Sequence, residues 1–453
     1  MAAKKTSRLR SREWFDIPGD PSETAGYVER YTNYGISAKE LRSGKPIIGI
    51  AQTGSDLVPC NRIHMNLVQR VREGIRENGG IPMEFPVHPI QETGKRPTAA
   101  LDRNLQYLSL VEVLFGYPLD GVVLTIGCDK TTPALLMAAA TVDIPSICLS
   151  SGPMLNGYWK GERAGSGTIK WKARKLLAAG KIDEEEFIKL VVDATTSPGY
   201  CNTMGTATTM NSLTEGLGMS LPGNASIPAT LSERAEMAYM TGLRIVEMVK
   251  EDLTPSKIMT RESFENAVVL NSALGGSTNA PIHINAVARH VGVDFQIEDW
   301  QKIGFKIPLL VNMQPSGKYL GEDFYRAGGV PAVMNSLLVA SKLNGSSITA
   351  NGKTIAENYA QSPILDKDVI RRCDEPILEN AGFIILKGNI CEAAVMKTSV
   401  ISEKFRSQYL SRPGSNNEFE VRAIVFEGPE DYHKRINSTE LKIDIDCILV
   451  YDT

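Results

Sequence analysis

A thiol, a carboxylate and an amine stand consecutively at Cys128, Asp129 and Lys130, within the stretch Gly127–Pro133. A thiolate suits iron or an iron–sulfur cluster, whereas a carboxylate suits a hard cation such as Mg²⁺. Because adjacent residues point in different directions, this tripeptide could serve two metals that lie close together. The alternative is a helix N-terminal turn with an exposed Asp and Lys, and the pattern alone leaves both interpretations open.

Two further cysteines, Cys60 and Cys201, share the setting of Cys128, because each follows a predicted strand or turn and precedes a predicted helix. In an open α/β sheet, ligands bind where strands end and helices begin. A helix N-terminus also stabilises the thiolate form that binds iron. The three residues are therefore candidates for one metal site, although each could equally be a buried core thiol. The sequence contains no C-x-x-C pair, the pattern that would indicate a structural zinc site.

Glu92 lies in the loop Pro89–Gly94, after a predicted strand. Its carboxylate is a candidate oxygen ligand for the same hard cation. The alternative is a solvated loop glutamate, which is the more common situation for this residue type.

Strands and helices alternate from Pro46 onward. Apolar runs predict buried strands over Ile47–Ala51, Ile81–Phe85, Gly121–Ile126 and Ser146–Leu149. Apolar periodicity predicts helices over Ile63–Ile75, Pro97–Phe115, Ala134–Thr141, Glu184–Thr195, Ser232–Glu251 and Arg261–Leu270. This rhythm predicts an α/β fold with a parallel sheet that is flanked by helices on both faces.

The pattern changes near residue 379, where strand-like runs follow one another with few helices between them. These runs are Phe383–Leu386, Val421–Phe426 and Ile443–Tyr451. We predict an α/β domain over residues 1–378 and a β-rich, β-barrel-like domain over residues 379–453. Because the last apolar run lies almost at Thr453, we expect this second domain to lack its C-terminal part.

The composition of the 453 residues is that of an ordinary globular protein, with 42% hydrophobic and 22% charged residues. The net charge of −3 gives no basic field for nucleic acid or an anionic membrane surface. The sequence contains no run of about 18 apolar residues, so it predicts no membrane span. Seven irregularly spaced cysteines without a signal peptide indicate reduced thiols rather than a disulfide framework. For the basic segment Met1–Arg12 we favour a solvated arm over a transit peptide.

Several longer motifs resemble those of the dihydroxy-acid and sugar-acid dehydratases. They are, in chain order, Thr53–Asp56 with Pro59–His64, Gly127–Pro133, Gly199–Ala207, Gly275–Asn279 with His283 and Ile284, and Lys387–Asn389. The likeness runs from about Arg10 to Val450. Within the family the chain is most similar to pentonate (xylonate or arabonate) dehydratases, through Arg10–Asp16, Ile81–Pro89 and Asp431–Asn437.

The resemblance implies roles for the candidate residues. It implies that Cys60, Cys128 and Cys201 hold a 2Fe–2S cluster with one iron position open. It also implies that Glu92, Asp129 and a carbamylated Lys130 bind Mg²⁺; these six residues are the predicted site. Carbamylation needs a lysine that has lost its proton, and a buried site beside a cation lowers the lysine pKa.

The implied reaction is that of a hydro-lyase, which removes water from C2 and C3 of a sugar acid to give a 2-keto-3-deoxy acid. Mg²⁺ would chelate the carboxylate and the C2 oxygen, and the open iron would take the C3 hydroxyl. The chain departs from the family pattern at its end, where a further acidic ligand and a serine base are expected. We therefore assign no catalytic base, expect it beyond Thr453, and expect this exact chain to be inactive.

Two alternatives remain. One is a dihydroxy-acid dehydratase of branched-chain amino-acid biosynthesis, and the other is a non-catalytic, cluster-binding truncated paralogue. The five histidines, at positions 64, 88, 283, 290 and 433, are expected to be structural rather than the base. We expect a cytoplasmic homo-oligomer, a dimer or tetramer, that acts on a small hydroxy acid and binds neither nucleic acid nor membrane.

Overall fold

The computed structural model describes residues 9–33, 35–92, 99–389, 392–411, 414, 418–444 and 446–452. The chain divides into two compact units, Met1–Ser399 and Val400–Thr453. In the part that is described, no helix is both long enough and apolar enough to cross a bilayer.

The strands are β1 Ile47–Gln52, β2 Ile81–Pro86, β3 Gly121–Ile126, β4 Ser146–Ser150, β5 Gly157–Trp159, β6 Glu162–Ala164, β7 Phe383–Leu386, β8 Ala394–Lys397, β9 Arg422–Glu427 and β10 Cys447–Asp452. The first ten α-helices are α1 Arg12–Phe15, α2 Pro21–Thr32, α3 Ala38–Leu41, α4 His64–Glu77, α5 Asp102–Gly116, α6 Thr131–Val142, α7 Thr168–Ala178, α8 Glu184–Val192, α9 Thr206–Gly216 and α10 Ser232–Glu251. The others are α11 Pro255–Ile258, α12 Arg261–Leu274, α13 Ala280–Val291, α14 Ile297–Gly304, α15 Gly321–Arg326, α16 Gly329–Val339, α17 Ile355–Tyr359, α18 Glu403–Phe405 and α19 Gly428–Arg435.

Strands β1 to β4 form the parallel sheet that the sequence predicts, in the order β2-β1-β3-β4. Every residue of β1, β3 and β4 is buried, as the continuous apolar runs indicate. The chain passes from β1 to β2 on one side, and then returns across β1 to reach β3. The strand order therefore reverses between β1 and β3, and the crevice at their carboxyl ends is where open α/β sheets bind ligands.

Helices cover both faces of this sheet. Helix α4 packs against β1, β2 and α10, and α10 packs against β3 and β4. Helix α6 packs against β3 and α5. Right-handed crossovers that run in opposite directions along the sheet place α4 on one face and α5 and α6 on the other.

Two glycines set the close approach of α4 and α10. A Cβ added at Gly242 would overlap the carbonyl oxygen of Val71, and a Cβ at Gly74 would overlap that of Tyr239. Because both obstacles are backbone atoms, no side-chain rotation can relieve the overlap. The two helices would have to move apart to accept either methyl group.

We expect Gly242→Ala to lower the free energy of unfolding by about 2–3 kcal/mol through this overpacking. Gly26→Ala is the matched control, because Gly26 lies in the exposed interior of α2 with open space around its Cβ position. Removing a helix-interior glycine there should stabilise by about 1 kcal/mol. Urea denaturation measures both effects, and a stabilising Gly242→Ala would contradict the packing that the structure gives for α4 and α10.

The described residues after 379 form two separate two-stranded sheets. Strands β7 and β8 are antiparallel and lie in the first unit, whereas β9 and β10 are parallel and lie in the second. A parallel pair needs a crossover, and α19 supplies it. The sequence located these strands approximately, but the β-barrel-like architecture is not confirmed. The domain boundary between residues 378 and 379 stays a prediction.

Residues 1–8 of the predicted solvated arm lie outside the described residues. In the next four residues, the Ser11 amide donates a hydrogen bond to Asp120 Oδ1 at 3.1 Å, and Arg10 Nη2 donates to the Leu114 carbonyl at 3.1 Å. Ser11 is buried. The prediction of a solvated arm is therefore wrong for residues 9–12.

Candidate functional site

The tripeptide Cys128-Asp129-Lys130 lies in the turn between β3 and α6. Cys128 and Lys130 are buried, and Cys128 Sγ donates a hydrogen bond to Asp129 Oδ1 at 3.1 Å. Lys130 Nζ lies 3.3 Å from Glu92 Oε2 and 3.9 Å from Asp129 Oδ2. The predicted oxygen ligands and the lysine therefore come together in one place.

The three cysteines also lie close to one another. The pKa of the Cys128 thiol is raised well above its usual value, first by its hydrogen bond with the Cys60 thiol and then by burial and the Asp129 charge. Burial is the main cause that raises the pKa of Cys201, and the charges of Asp129 and Cys128 add to it. Their assignment as cluster ligands stays a prediction, but the three thiols do not lie on separate sides of the molecule.

Asn61 fastens the Cys60 turn to the Cys128 turn. Its Nδ2 donates to Thr53 Oγ1 at 3.0 Å and to Thr131 Oγ1 at 3.1 Å, and its Oδ1 accepts from the Cys128 amide at 2.7 Å. The side chain is fully buried. The contacts with Thr131 and Cys128 join the segment that follows β1 to the segment that follows β3, whereas the contact with Thr53 lies within the segment after β1.

Asn202 holds the Cys201 turn in a similar way. Its Oδ1 accepts from the Ser166 amide at 2.9 Å, and its Nδ2 donates to the Leu155 carbonyl at 2.9 Å. Thr208 Oγ1 donates to the Cys201 carbonyl at 2.9 Å. Sequence reasoning assigned no role to either asparagine, although the Cys-Asn pair that occurs twice in the chain was a usable signal.

Helix N-termini converge on this group. Asn61 joins the entry of α4 to the start of α6, and Asn211 of α9 donates to the Gly127 carbonyl at 2.8 Å. At the start of α13, Asn279 Nδ2 donates to Thr206 Oγ1, the first residue of α9, at 2.9 Å. The partial positive charge at each N-terminus favours thiolates and other anions here.

The donor set fits a cationic metal group. Burial is the main cause that raises the pKa of Asp129, and the Glu92 charge raises it further, while the Lys130 charge lowers it. Carboxylates and thiols that raise one another's pKa in this way become fully ionised when a multivalent cation joins them. The thiols suit iron and the carboxylates suit Mg²⁺.

Within the described residues, no three His, Cys, Asp or Glu side chains are grouped so closely that they could share a single ion. One feature of the site accounts for this, because the Lys130 ammonium group stands beside Glu92 and Asp129 as their counter-cation. An iron–sulfur cluster would not require its thiolate ligands to meet at one point.

Glu92 is the ligand candidate nearest to residues that are not described. Its Oε2 accepts a hydrogen bond from the Ala99 amide at 3.1 Å, in addition to the ion pair with Lys130. Thr93 and Gly94, at the end of the predicted ligand loop, lie outside the described residues.

Two histidines near the site are neutral. Burial lowers the pKa of His64 to about 4, and its Nε2 lies 2.8 Å from the Ile126 carbonyl oxygen, to which it donates. Burial, followed by the charges of Lys130 and Arg103, lowers the pKa of His283 to about 3. In the folded protein both imidazoles therefore lack a proton that they would carry in mild acid in the unfolded chain.

Acid should consequently destabilise the fold. A histidine with a lowered folded-state pKa contributes stability that is present above the unfolded pKa of 6.5 and is lost as the pH falls towards the folded pKa. For His64 the loss between pH 6.5 and 4 is about 3 kcal/mol. We expect His64→Gln, which keeps an N–H for the Ile126 carbonyl, to remove that part of the pH dependence. Urea denaturation between pH 4.5 and 7 measures it, with the same substitution at exposed His433 as control. The expectation would be contradicted if the free energy of unfolding fell equally with pH in the wild type and in His64→Gln.

The parallel sheet, with thiols, carboxylates and a lysine close to its switch point, defines an α/β protein with a candidate metal site, and the comparisons name the family. The profile of the dihydroxy-acid/6-phosphogluconate dehydratase N-terminal domain matches residues 45–358, and that of the C-terminal domain matches residues 368–452. The chain belongs to the dihydroxy-acid/6-phosphogluconate dehydratase family. Dehydratases of this family generally use a metal-containing cofactor.

Individual relatives agree with this placement. The chain is 60% identical to D-xylonate dehydratase of Caulobacter vibrioides, over 99% of this chain and 76% of the relative. It is 44% identical to L-arabinonate dehydratase of Rhizobium leguminosarum, over 98% of this chain and 74% of the relative. The chain is 40% identical to dihydroxy-acid dehydratase of Caldanaerobacter subterraneus, over 86% of this chain and 71% of the relative. The chain spans between 71% and 76% of the length of these relatives, and neither the expected truncation nor the expected inactivity of this chain is shown.

Proposed function

We propose that this chain removes water from a five-carbon sugar acid, with D-xylonate as its preferred substrate. The observation that carries the proposal is the 60% identity to a D-xylonate dehydratase over 99% of the chain. Identity to dihydroxy-acid dehydratases is lower, at 40% or less. The product would be the 2-keto-3-deoxy acid.

We infer that Cys60, Cys128 and Cys201 hold a 2Fe–2S cluster, and that Glu92, Asp129 and a carbamylated Lys130 hold Mg²⁺. The hydrogen bond between the Cys60 and Cys128 thiols and the ion pairs of Lys130 support this assignment. When bound, the two metal groups supply Lewis acidity at the substrate carboxylate and at its hydroxyl oxygens.

The chain itself contributes position and charge. The N-termini of α4, α6, α9 and α13 favour an anionic acid in the crevice between β1 and β3. Asn61 and Asn202 hold the ligand turns through hydrogen bonds to other chain segments. These contacts fix the site geometry before the substrate arrives, which reduces the reorganisation that the reaction requires.

The proton at C2 needs a base, and neither nearby histidine suits that role. His64 Nε2 donates to the Ile126 carbonyl, and His283 Nδ1 accepts from Arg103. Both imidazoles have pKa values far below neutrality, so they are weak proton acceptors. No base is assigned among the described residues, and turnover by this chain would contradict the predicted location of the base beyond Thr453.

The test is turnover by the purified chain after reconstitution with iron, sulfide and Mg²⁺. D-xylonate, L-arabonate and 2,3-dihydroxyisovalerate are supplied separately, and the 2-keto acid product is measured. We expect D-xylonate to give the highest kcat/KM. A preference for dihydroxyisovalerate would favour the branched-chain alternative. A chain with full iron and magnesium content that converts none of the three acids would support the non-catalytic alternative.

We also propose that the protein is a cytoplasmic homo-oligomer, either a dimer or a tetramer. This rests on the family resemblance alone. Light scattering coupled to size-exclusion chromatography tests the assembly, and a monomer at micromolar concentration would contradict it.

A further inference from the structure

His283 has one ring nitrogen whose role is fixed by a neighbour. Arg103 Nη1 of α5 lies 2.9 Å from His283 Nδ1. Because a guanidinium group can only donate hydrogen bonds, Nδ1 must accept, and the proton of the neutral imidazole is on Nε2. His283 therefore presents an N–H donor of fixed position and no charge.

This donor has no acceptor. His283 is 4% exposed, and its Nε2 finds no hydrogen-bond partner in the part of the chain that the structure describes. A buried donor without a partner is destabilising by about 1–3 kcal/mol, and native proteins keep few of them. The observation points to an acceptor that arrives from outside the chain.

The position of α13 shows where that acceptor would lie. Helix α13 packs against α6, and at their C-terminal ends Thr141 Oγ1 lies 3.0 Å from His290 Nδ1. The N-terminal end of α13 is fastened to the start of α9 by the hydrogen bond from Asn279 to Thr206. His283 belongs to the first turn of α13, within electrostatic reach of Lys130. His283 thus lies close to Lys130, at the end of α13 that is fastened to the start of α9.

We propose that His283 is a substrate-binding residue, whose Nε2–H donates a hydrogen bond to an oxygen atom of the bound sugar acid. The inference rests on the proposed function, because it takes a polyhydroxy carboxylate as the occupant of the site. Such a ligand carries several acceptor oxygens and a negative charge, which the N-terminus of the twelve-residue helix α13 also favours. Because Arg103 holds Nδ1 as an acceptor, the imidazole positions the substrate and does not take its proton.

A pair of substitutions separates the two ring nitrogens. His283→Asn places an amide at the Nδ1 position, where its oxygen can still accept from Arg103, and removes the donor at Nε2. His283→Gln instead places an amide N–H near the Nε2 position. KM and kcat for D-xylonate, the rise in Tm with D-xylonate, and the iron and magnesium content are measured for both variants. His433→Asn, at an exposed position in the second unit, is the control.

We expect His283→Asn to raise KM by about 10- to 100-fold, which corresponds to one hydrogen bond to a charged ligand. Iron and magnesium content should stay at the wild-type level, the Tm rise with D-xylonate should shrink, and His283→Gln should recover most of the lost affinity. If His283→Asn does not fold, Arg103→Met replaces it, because it removes the group that fixes the tautomer and should raise KM in the same direction.

Two results would overturn the inference alone. The first is an unchanged KM in His283→Asn, or in Arg103→Met where that variant replaces it, while the wild type converts D-xylonate. The second is a loss of magnesium with unchanged KM, which would make a carbamate oxygen on Lys130 the acceptor instead of the substrate. A wild type that holds its metals and converts no sugar acid would instead overturn the proposed function, and this inference with it.

Discussion

Cys128→Ser is expected to abolish the visible absorbance of the iron-loaded protein and to lower D-xylonate dehydration by about a thousandfold. A hydroxyl group is a poor ligand for an iron–sulfur cluster, and several kcal/mol of Lewis-acid stabilisation would disappear with the cluster. Cys128 is buried at the end of β3 and contacts both the Cys60 thiol and Asp129. Absorbance, iron content and turnover of the same preparation measure the effect.

The matched control is Cys148→Ala. Cys148 is fully buried on the neighbouring strand β4, where burial raises its pKa. Its amide donates to the Met219 carbonyl and its carbonyl accepts from Asn224 Nδ2, and neither partner belongs to a ligand turn. We expect this variant to keep its full absorbance and to lose about 1–2 kcal/mol of stability through the lost sulfur. Full cluster absorbance in Cys128→Ser would contradict the ligand assignment.

Lys130→Met is expected to remove both Mg²⁺ binding and turnover. As an ammonium, Lys130 neutralises Glu92 and Asp129; as a carbamate it would bind the ion directly. Methionine can do neither, so the Mg²⁺-free variant would hold two neighbouring carboxylates without a cation. We expect a loss of about 3–5 kcal/mol in its unfolding free energy, as for other buried pairs that lose one partner.

Lys160→Met is the control for Lys130→Met. Lys160 forms an ion pair of similar length with Glu186, at 3.4 Å, but both side chains are exposed. The substitution should change stability by less than about 1 kcal/mol. Urea denaturation with and without Mg²⁺, together with magnesium content, measures both variants. An equally small effect at Lys130 would show that the lysine is not the counter-cation of this pair.

Carbamylation itself can be tested with ¹³C-labelled bicarbonate. The wild type should show one carbamate resonance that is absent in Lys130→Met. A wild-type protein with full magnesium content and turnover but no such resonance would contradict the modification, while leaving Glu92 and Asp129 as ligand candidates.

Local sequence pattern was sufficient to predict the sheet. Strand β3 and helix α10 have the predicted bounds, because a continuous apolar run and a long helical periodicity are both local signals. For the helix predicted from Pro97, Pro97 and Thr98 lie outside the described residues, and within the described part the helix begins at Asp102 because the apolar face alone does not specify where a helix begins. Near the C-terminus the apolar runs indicated strands, but the pairing of β9 with β10 depends on contacts between distant residues.

The candidate site, like the fold, could be predicted from the sequence only in part. Position after a strand end was enough to group Cys60 with Cys128, since parallel strands bring their carboxyl ends to one edge. Cys201 follows a turn rather than a strand of this sheet, and the ligand role of all three stays a prediction. The residues that hold this group could not be predicted, because their partners are remote in sequence. Asn61 reaches the Cys128 amide across 67 positions, and Arg103 reaches His283 across 180. Contacts between residues so far apart in the sequence produce no local pattern from which they could be predicted.

The bridge made by Asn61 has a consequence for how the protein acquires its cofactor. Its three hydrogen bonds use only atoms of the chain, and two of them, with Thr131 and with the Cys128 amide, join the turn after β1 to the turn after β3. The sulfur-bearing turns therefore form a rigid receptor when the sheet folds, rather than a loose segment that iron must gather. Delivery of the proposed cluster would then resemble docking into a preformed cleft with a small entropy penalty, and the fold would remain intact without the cluster.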